Sequence, residues 1–353
     1  MKADWCGFGA AEHGRQVEAA LSEERESVGW QVVEEAKTDA RRRWILALSQ
    51  RRDERSLAVA DYLEGGGGGE AAPVARARLQ ARARSSSDPM VTALALQQLC
   101  APGACANVEA SQWSRLEPAN LQAWLALALD PASRARQTQA AYVLDRLAQE
   151  AKYARSYQRE LHAVLSSLPQ TQIPGLQNEA ELQLMSALVF GWPLLSVGPL
   201  TDVCRSGLAD TGTASRCQAV AQLLARQDNI LHRAVGLGIA RNLVAAQPAM
   251  RAAWEAQAQE FEAVSEWRGG AAERAASASE PEGAALACGG QAEVRQVLKD
   301  HLARSEWDRM RDGIDEAGVD EATLASRWRK REGRSVLDPR PAPQPASAPA
   351  KAG

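Results

Sequence analysis

The sequence is poor in lysine, tyrosine and phenylalanine, and it has no stretch of period-two alternation that would make a convincing strand. Only six of its 41 basic residues are Lys, and four Tyr and three Phe stand against ten Trp. The cations are therefore almost all Arg, in a chain equally rich in Ala and Gly, which points to coding bias before it points to a phosphate-binding device. Charge of one sign is lacking too: 41 basic against 44 acidic residues leave a formal −3. Such a field draws neither nucleic acid nor an anionic membrane. CxxC and a Cys/His quartet at zinc spacing are missing, because His13, His162, His232 and His301 lie apart from the six cysteines, and this argues against a structural zinc site. HExxH, GxxxxGK[ST] and GxSxG are absent as well. No catalytic, cofactor-binding or metal-binding residue is assigned, and a non-catalytic protein is expected.

The 353 residues, 45% hydrophobic and 24% charged, match an ordinary globular protein of about two domains. Residues 1–64 carry apolar positions at Val17, Leu21, Val28, Val32, Ala40, Trp44 and Leu48, the stripe of a helix face, and predict a helical segment with breaks near Gly29 and Arg51 to Asp53. Five glycines, Gly65 to Gly69, predict that the helix stops there in a flexible linker, 65–70. A helical-hairpin domain is expected over 71–268, a flexible connector over 269–290, a short helical unit over 291–332 and a disordered tail over 333–353, where Pro alternates with small polar residues. The fold class is all-α, an irregular, solenoid-like stack of helical hairpins. Asp53 and Asp88, thirty-five residues apart, both fit helix N-caps, and Asp228 has a similar setting. The Trp residues mostly sit at helical spacing from aliphatic ones and read as packing anchors.

Twenty uncharged residues, Leu182 to Thr201, reach the length of a membrane span. Gly191, Pro193, Gly198 and Pro199 interrupt them, so a buried helix ending near Phe190 is expected and no span. Gly236-Leu-Gly238 has two glycines of a dinucleotide loop with no strand ahead of it, and reads as close helix packing. Asp308 to Gly313 reads as a polar turn, since hydrophobic residues occupy the other calcium-loop positions. Two Arg runs, 75–84 and 327–334, lie beside acidic residues and read as solvated faces, so no nucleic-acid partner is expected.

Cys100 and Cys105 bracket Ala-Pro-Gly-Ala, and Cys204 and Cys217 bracket a Gly-, Thr- and Ser-rich stretch. Each pair can close a local disulfide across a helical hairpin; equally, all six cysteines can be buried thiols in a reducing cytosol. The first thirty residues hold no basic segment followed by an apolar run. A cytoplasmic protein is expected, or a periplasmic or exported one if the true start lies upstream of Met1.

The segment from Leu116 to Ala128, Leu-Glu-Pro-Ala-Asn-Leu-Gln-Ala-Trp-Leu-Ala-Leu-Ala, resembles the junction between two tetratricopeptide repeats. Pro118 matches the closing proline, Trp124 the Trp, Leu127 the Leu and Ala128 the usual Gly, while Ala140 and Leu144 fall at the small and large positions of the second helix. Pro131, Leu147 and Lys152 depart from the pattern. The resemblance covers one unit of about thirty-four residues well and its predecessor loosely, and it implies a curved, peptide-binding surface. The expected role is a scaffold for an unidentified protein or peptide partner, with Asn120, Gln122, Arg134 and Arg136 as candidate contacts. A disulfide-stapled structural protein of the bacterial envelope and an enzyme of unfamiliar motif are the alternatives.

Overall fold

A computed structural model describes residues 28–101, 103–129, 136–170, 176–192, 197–277, 295–296, 298–300 and 302–339. Among them no strand forms, only an isolated parallel bridge between Asn120 and Tyr153, and the fold is all-α. The chain divides into two compact units, 1–200 with 271–309 and 201–270 with 310–353. The unit boundaries fall at 200, 270 and 309.

In the first unit, α1 (Val28–Ser49) buries Ala36, Ala40, Trp44 and Leu48, one residue per turn along a single stripe. Val17 and Leu21 lie outside the described residues. The break at Arg51 to Asp53 is real, and Asp53 caps α2 (Glu54–Gly66) by accepting from the Ser56 amide at 2.8 Å. The helix α2 runs on through Gly65 and ends at Gly66, inside the glycine run. Gly65 and Gly66 are helical, Gly68 and Gly69 turn the chain at positive φ (75° and 77°), and α3 (Ala71–Ser85) returns along α2. A Cβ on Gly65 would sit 2.3 Å from Oε1 of Gln98 and 3.0 Å from Cγ of Arg76, so those side chains lie where a larger residue would displace them. Across this hairpin the Arg78 and Arg82 guanidiniums meet the buried Asp61 carboxylate at 2.8 and 3.4 Å.

Asp88 caps α4 (Pro89–Gln97), accepting from the Met90 amide at 3.0 Å. Then follow α5 (Ala110–Leu116), α6 (Leu121–Ala128), α7 (Arg136–Glu150), α8 (Gln158–Ser166) and α9 (Leu176–Phe190). The last ends where the uncharged stretch was expected to turn. Among the described residues no helix is long and apolar enough to cross a membrane. Trp44, Trp113 and Trp192 are all at most 5% exposed, in keeping with indoles as the fillers between helices.

The second unit holds α11 (Thr211–Ala225) and α12 (Ile230–Ala246), preceded by α10 (Gly198–Ser206). A Cβ on Gly236 would lie 2.6 Å from the Ala225 nitrogen and 2.7 Å from the Ala221 oxygen, so the two helices touch backbone to backbone there and Gly236 packs as expected, whereas a Cβ on Gly238 would meet nothing nearer than Arg241 Nη2 at 4.0 Å. The cap of α12 is Asn229 and not Asp228: its side chain accepts from the Leu231 amide at 2.8 Å. Helix α13 (Arg251–Ser277) runs through Gly269, so the connector expected from that residue starts as helix. Asp308 to Gly313, expected as a turn, lies inside α14 (Glu306–Glu316), with Gly313 against the Trp267 indole.

Helix α15 (Glu321–Glu332) is fastened to α13 by a fully buried carboxylate. Glu262 accepts from Arg329 Nε at 2.5 Å, from the Ser335 hydroxyl at 2.8 Å and from the Val336 amide at 2.8 Å. The start of the expected tail is therefore fixed, and Leu337 is buried. Residues 340–353 lie outside the described ones.

His232, buried on α12, has its pKa pushed down to about 4 by desolvation. Between that value and the ordinary 6.5 the unfolded chain holds a proton that the folded one does not. Stability is then full above pH 6.5 and falls as pH drops through the window, by roughly 1 kcal/mol per unit. Urea midpoints between pH 4.5 and 7.5 are expected to show this slope, and His232→Gln to flatten it.

Candidate functional site

The site grows from a buried carboxylate beside Pro118. Glu117, 7% exposed, takes hydrogen bonds from the Trp113 indole (3.2 Å), the Asn120 amide (2.8 Å) and the Tyr153 hydroxyl (3.2 Å), and another from the Tyr157 hydroxyl. The Arg155 guanidinium stands 3.7 Å away. Burial, with this carboxylate next to it, drives the Tyr157 phenol above its ordinary range, so it remains a donor. Asn120 is wholly buried and spends its amide inside the protein: Oδ1 accepts from the Gln122 and Arg155 amides, at 3.1 and 2.9 Å, and Nδ2 also reaches the Arg155 carbonyl at 3.1 Å. The backbone closes the same junction, since Leu121 N donates to the Tyr153 carbonyl and Lys152 N to the Ala119 carbonyl, both at 2.8 Å. A proline at 152, as the repeat pattern would have, lacks that donor.

These bonds fix the start of α6 and so the hairpin it makes with α7. The residues picked out by the resemblance come together here. Trp124, Leu127, Ala128, Ala140 and Leu144 are buried, and the exposed Pro118 lends its carbonyl to the Trp124 indole N–H at 2.7 Å. Asn120 and Gln122, expected at a partner surface, are corrected: at 0% and 3% exposure neither can be reached from outside. Arg134 lies outside the described residues, and Arg136 is the first residue of α7.

Sequence reasoning missed what does face outward. Gln139, Tyr142, Arg146 and Glu150 follow each other at helical spacing along α7, and with Ser111, Ser114 and Arg115 of α5, and Pro118, Trp124 and Leu127, they line a cleft of about 550 Å³. The Tyr142 ring, half exposed, stands edge-on to the Trp124 indole with centroids 6.5 Å apart. Arg146 lies over that indole at 5.6 Å and pairs with Glu150. Arg115 donates to the Ser111 hydroxyl at 2.9 Å, which itself donates to Glu109 at 3.0 Å. An aromatic on the otherwise polar stripe of α7 was the available signal. The lining can hold an apolar side chain between rings and aliphatic groups, and meet backbone polar groups with Arg, Gln and Ser; it contains neither His nor Cys. Among the described residues no group of three or more His, Cys, Asp or Glu could hold a metal ion.

Outside the cleft, several arginines of the two runs are engaged in place. Arg76 donates to the Gly65 carbonyl and Arg78 and Arg82 pair with Asp61, while Arg329 pairs with Glu255 and Glu262, and Arg331 with Glu266. Both candidate cysteine pairs are bonded. Cys100–Cys105 closes a surface loop between α4 and α5, and Cys204–Cys217 ties α10 to α11. No described cysteine is free. No protein-family model matches this chain, and no curated protein or solved structure matches it either.

Proposed function

We propose that this chain is a non-catalytic scaffold that takes a segment of a partner protein into the cleft between α5, α6 and α7. The observation that carries the reading is the Tyr142 ring, left half in solvent above the Trp124 indole beside Leu127 and Pro118. Tyr, Trp and Arg are the side chains that anchor protein interfaces, because they bury large area while keeping a polar end. The likeness of Pro118 to Leu144 to a tetratricopeptide hairpin supports the same reading.

Selection from a displayed peptide library tests it. Ligands should be enriched whose affinity drops at least tenfold on Tyr142→Ala, the loss of one anchor, and stays level on Leu231→Ala, an equally exposed residue on α12. Ligands that ignore Tyr142→Ala, or a library that yields none, would refute the reading.

The two disulfides favour a second, compatible reading, an exported protein of the envelope, because such bridges persist in oxidising compartments. Alkylation of protein taken from its native host should leave the buried Cys204 and Cys217 unmodified before reduction. Labelling of these two thiols would remove this reading.

A further inference from the structure

We infer that the Cys100–Cys105 bridge is a reversible thiol switch for the α5 wall of the cleft, while Cys204–Cys217 is a permanent brace. The regulatory meaning rests on the cleft being a binding site; the switch itself does not. The first observation is a contrast in burial. Cys204 and Cys217 are both 0% exposed, whereas Cys100 is 9% exposed and Cys105 is partly open to solvent. Thiol exchange needs access to a sulfur, so a dithiol reductant reaches one bridge and not the other.

The second observation is what hangs on the open bridge. Past Cys105 the chain is held by the Asn107 side chain, which accepts from the Cys100 amide at 3.1 Å, and by the Val108 amide, which donates to Oε1 of Gln80 at 2.7 Å. Gln80 is fully buried, and its Nε2 donates to the Ala95 carbonyl at 2.7 Å. Helix α5 follows at once. It has only seven residues and no side-chain cap, so it cannot hold itself together and depends on how it is fed. It supplies Ser111, Ser114 and Arg115 to the cleft. Opening the bridge removes the covalent tie between Cys100 and Cys105 and leaves the start of that wall to non-covalent contacts: the Asn107 and Val108–Gln80 bonds, the Gln112 contact to the Ala83 carbonyl at 2.6 Å, and further along the helix the buried Trp113 with its bond to Glu117.

The chemistry balances with one external dithiol. Its thiolate attacks Cys105 Sγ, the S–S bond breaks, and Cys100 leaves as a thiolate that takes up a proton. The second thiol of the reductant then displaces Cys105, which is also protonated, and the reductant departs as a disulfide with two electrons transferred. A disulfide oxidant reverses the step.

The full chain, folded, is treated with rising dithiothreitol, quenched with iodoacetamide and mapped by mass spectrometry. Cys100 and Cys105 are expected to be alkylated at a dithiothreitol concentration at least tenfold lower than Cys204 and Cys217, and amide hydrogen exchange over 106–116 to quicken about tenfold or more in step with it. Exchange in α12 should stay level, and oxidised glutathione should restore the slow rate. The Cys100→Ser, Cys105→Ser double variant should exchange fast without reductant. Bridges that open together, or an open Cys100–Cys105 with 106–116 still exchanging slowly, would overturn the proposal. Neither readout needs a peptide ligand, so a cleft that binds nothing would refute the binding reading alone.

Discussion

Glu117→Ala is expected to lower the unfolding free energy by about 3–5 kcal/mol. The carboxylate is the common acceptor for Trp113, Asn120, Tyr153 and Tyr157. Removing it leaves buried donors without a partner, which is worse than never having placed them there. Tyr153→Phe gives the scale: that hydroxyl belongs to a ring 39% exposed, and its loss should cost under about 1 kcal/mol. Urea unfolding followed by far-ultraviolet circular dichroism reads both. Similar small losses for the two variants would mean that Glu117 is not the knot that joins the α5–α6 turn to the segment after α7.

Trp124→Ala should cost about 3 kcal/mol in the same assay. The indole is 4% exposed, its N–H is tied to the Pro118 carbonyl, and its faces meet Tyr142 and Arg146. Truncation opens a cavity that joins the cleft, so water can enter and part of the cavity term is relieved. This places the expectation near the lower end of the range for a buried Trp. Trp124→Phe keeps most of the ring contact but not the hydrogen bond, and should fall between the variant and the parent.

Local features were readable where a short stretch of chain decides them. Ala40, Trp44 and Leu48 repeat with the helix and are buried; Asp53 and Asp88 precede their helices and cap them. The cysteine spacings were readable only as an open choice, which the bonded pairs decide. Features decided by distant partners were not readable. A Glu before a Pro looks solvated, and only the convergence of Tyr153 and Tyr157, thirty-six and forty residues on, makes Glu117 a buried hub. The same blindness misplaced Asn120 and Gln122 on the surface. Glycine content misled twice, at Gly65 and at Gly269, because propensity is a weak prior that tertiary contacts override. Gln98 packs against the first, and the Arg331–Glu266 pair braces the helix that carries the second. Asn229 took the cap from its neighbour Asp228 by one position, a shift that single-residue preferences do not resolve.

The seam at Trp124 carries both the fold of this region and the cleft above it, and proton NMR with indole-labelled Trp observes it directly. The Trp124 Nε1 proton is expected to exchange slowly with water and to show cross-peaks to Pro118 and to the Tyr142 ring. An indole proton that exchanges at the rate of a free side chain, without any cross-peak to α7, would contradict the account.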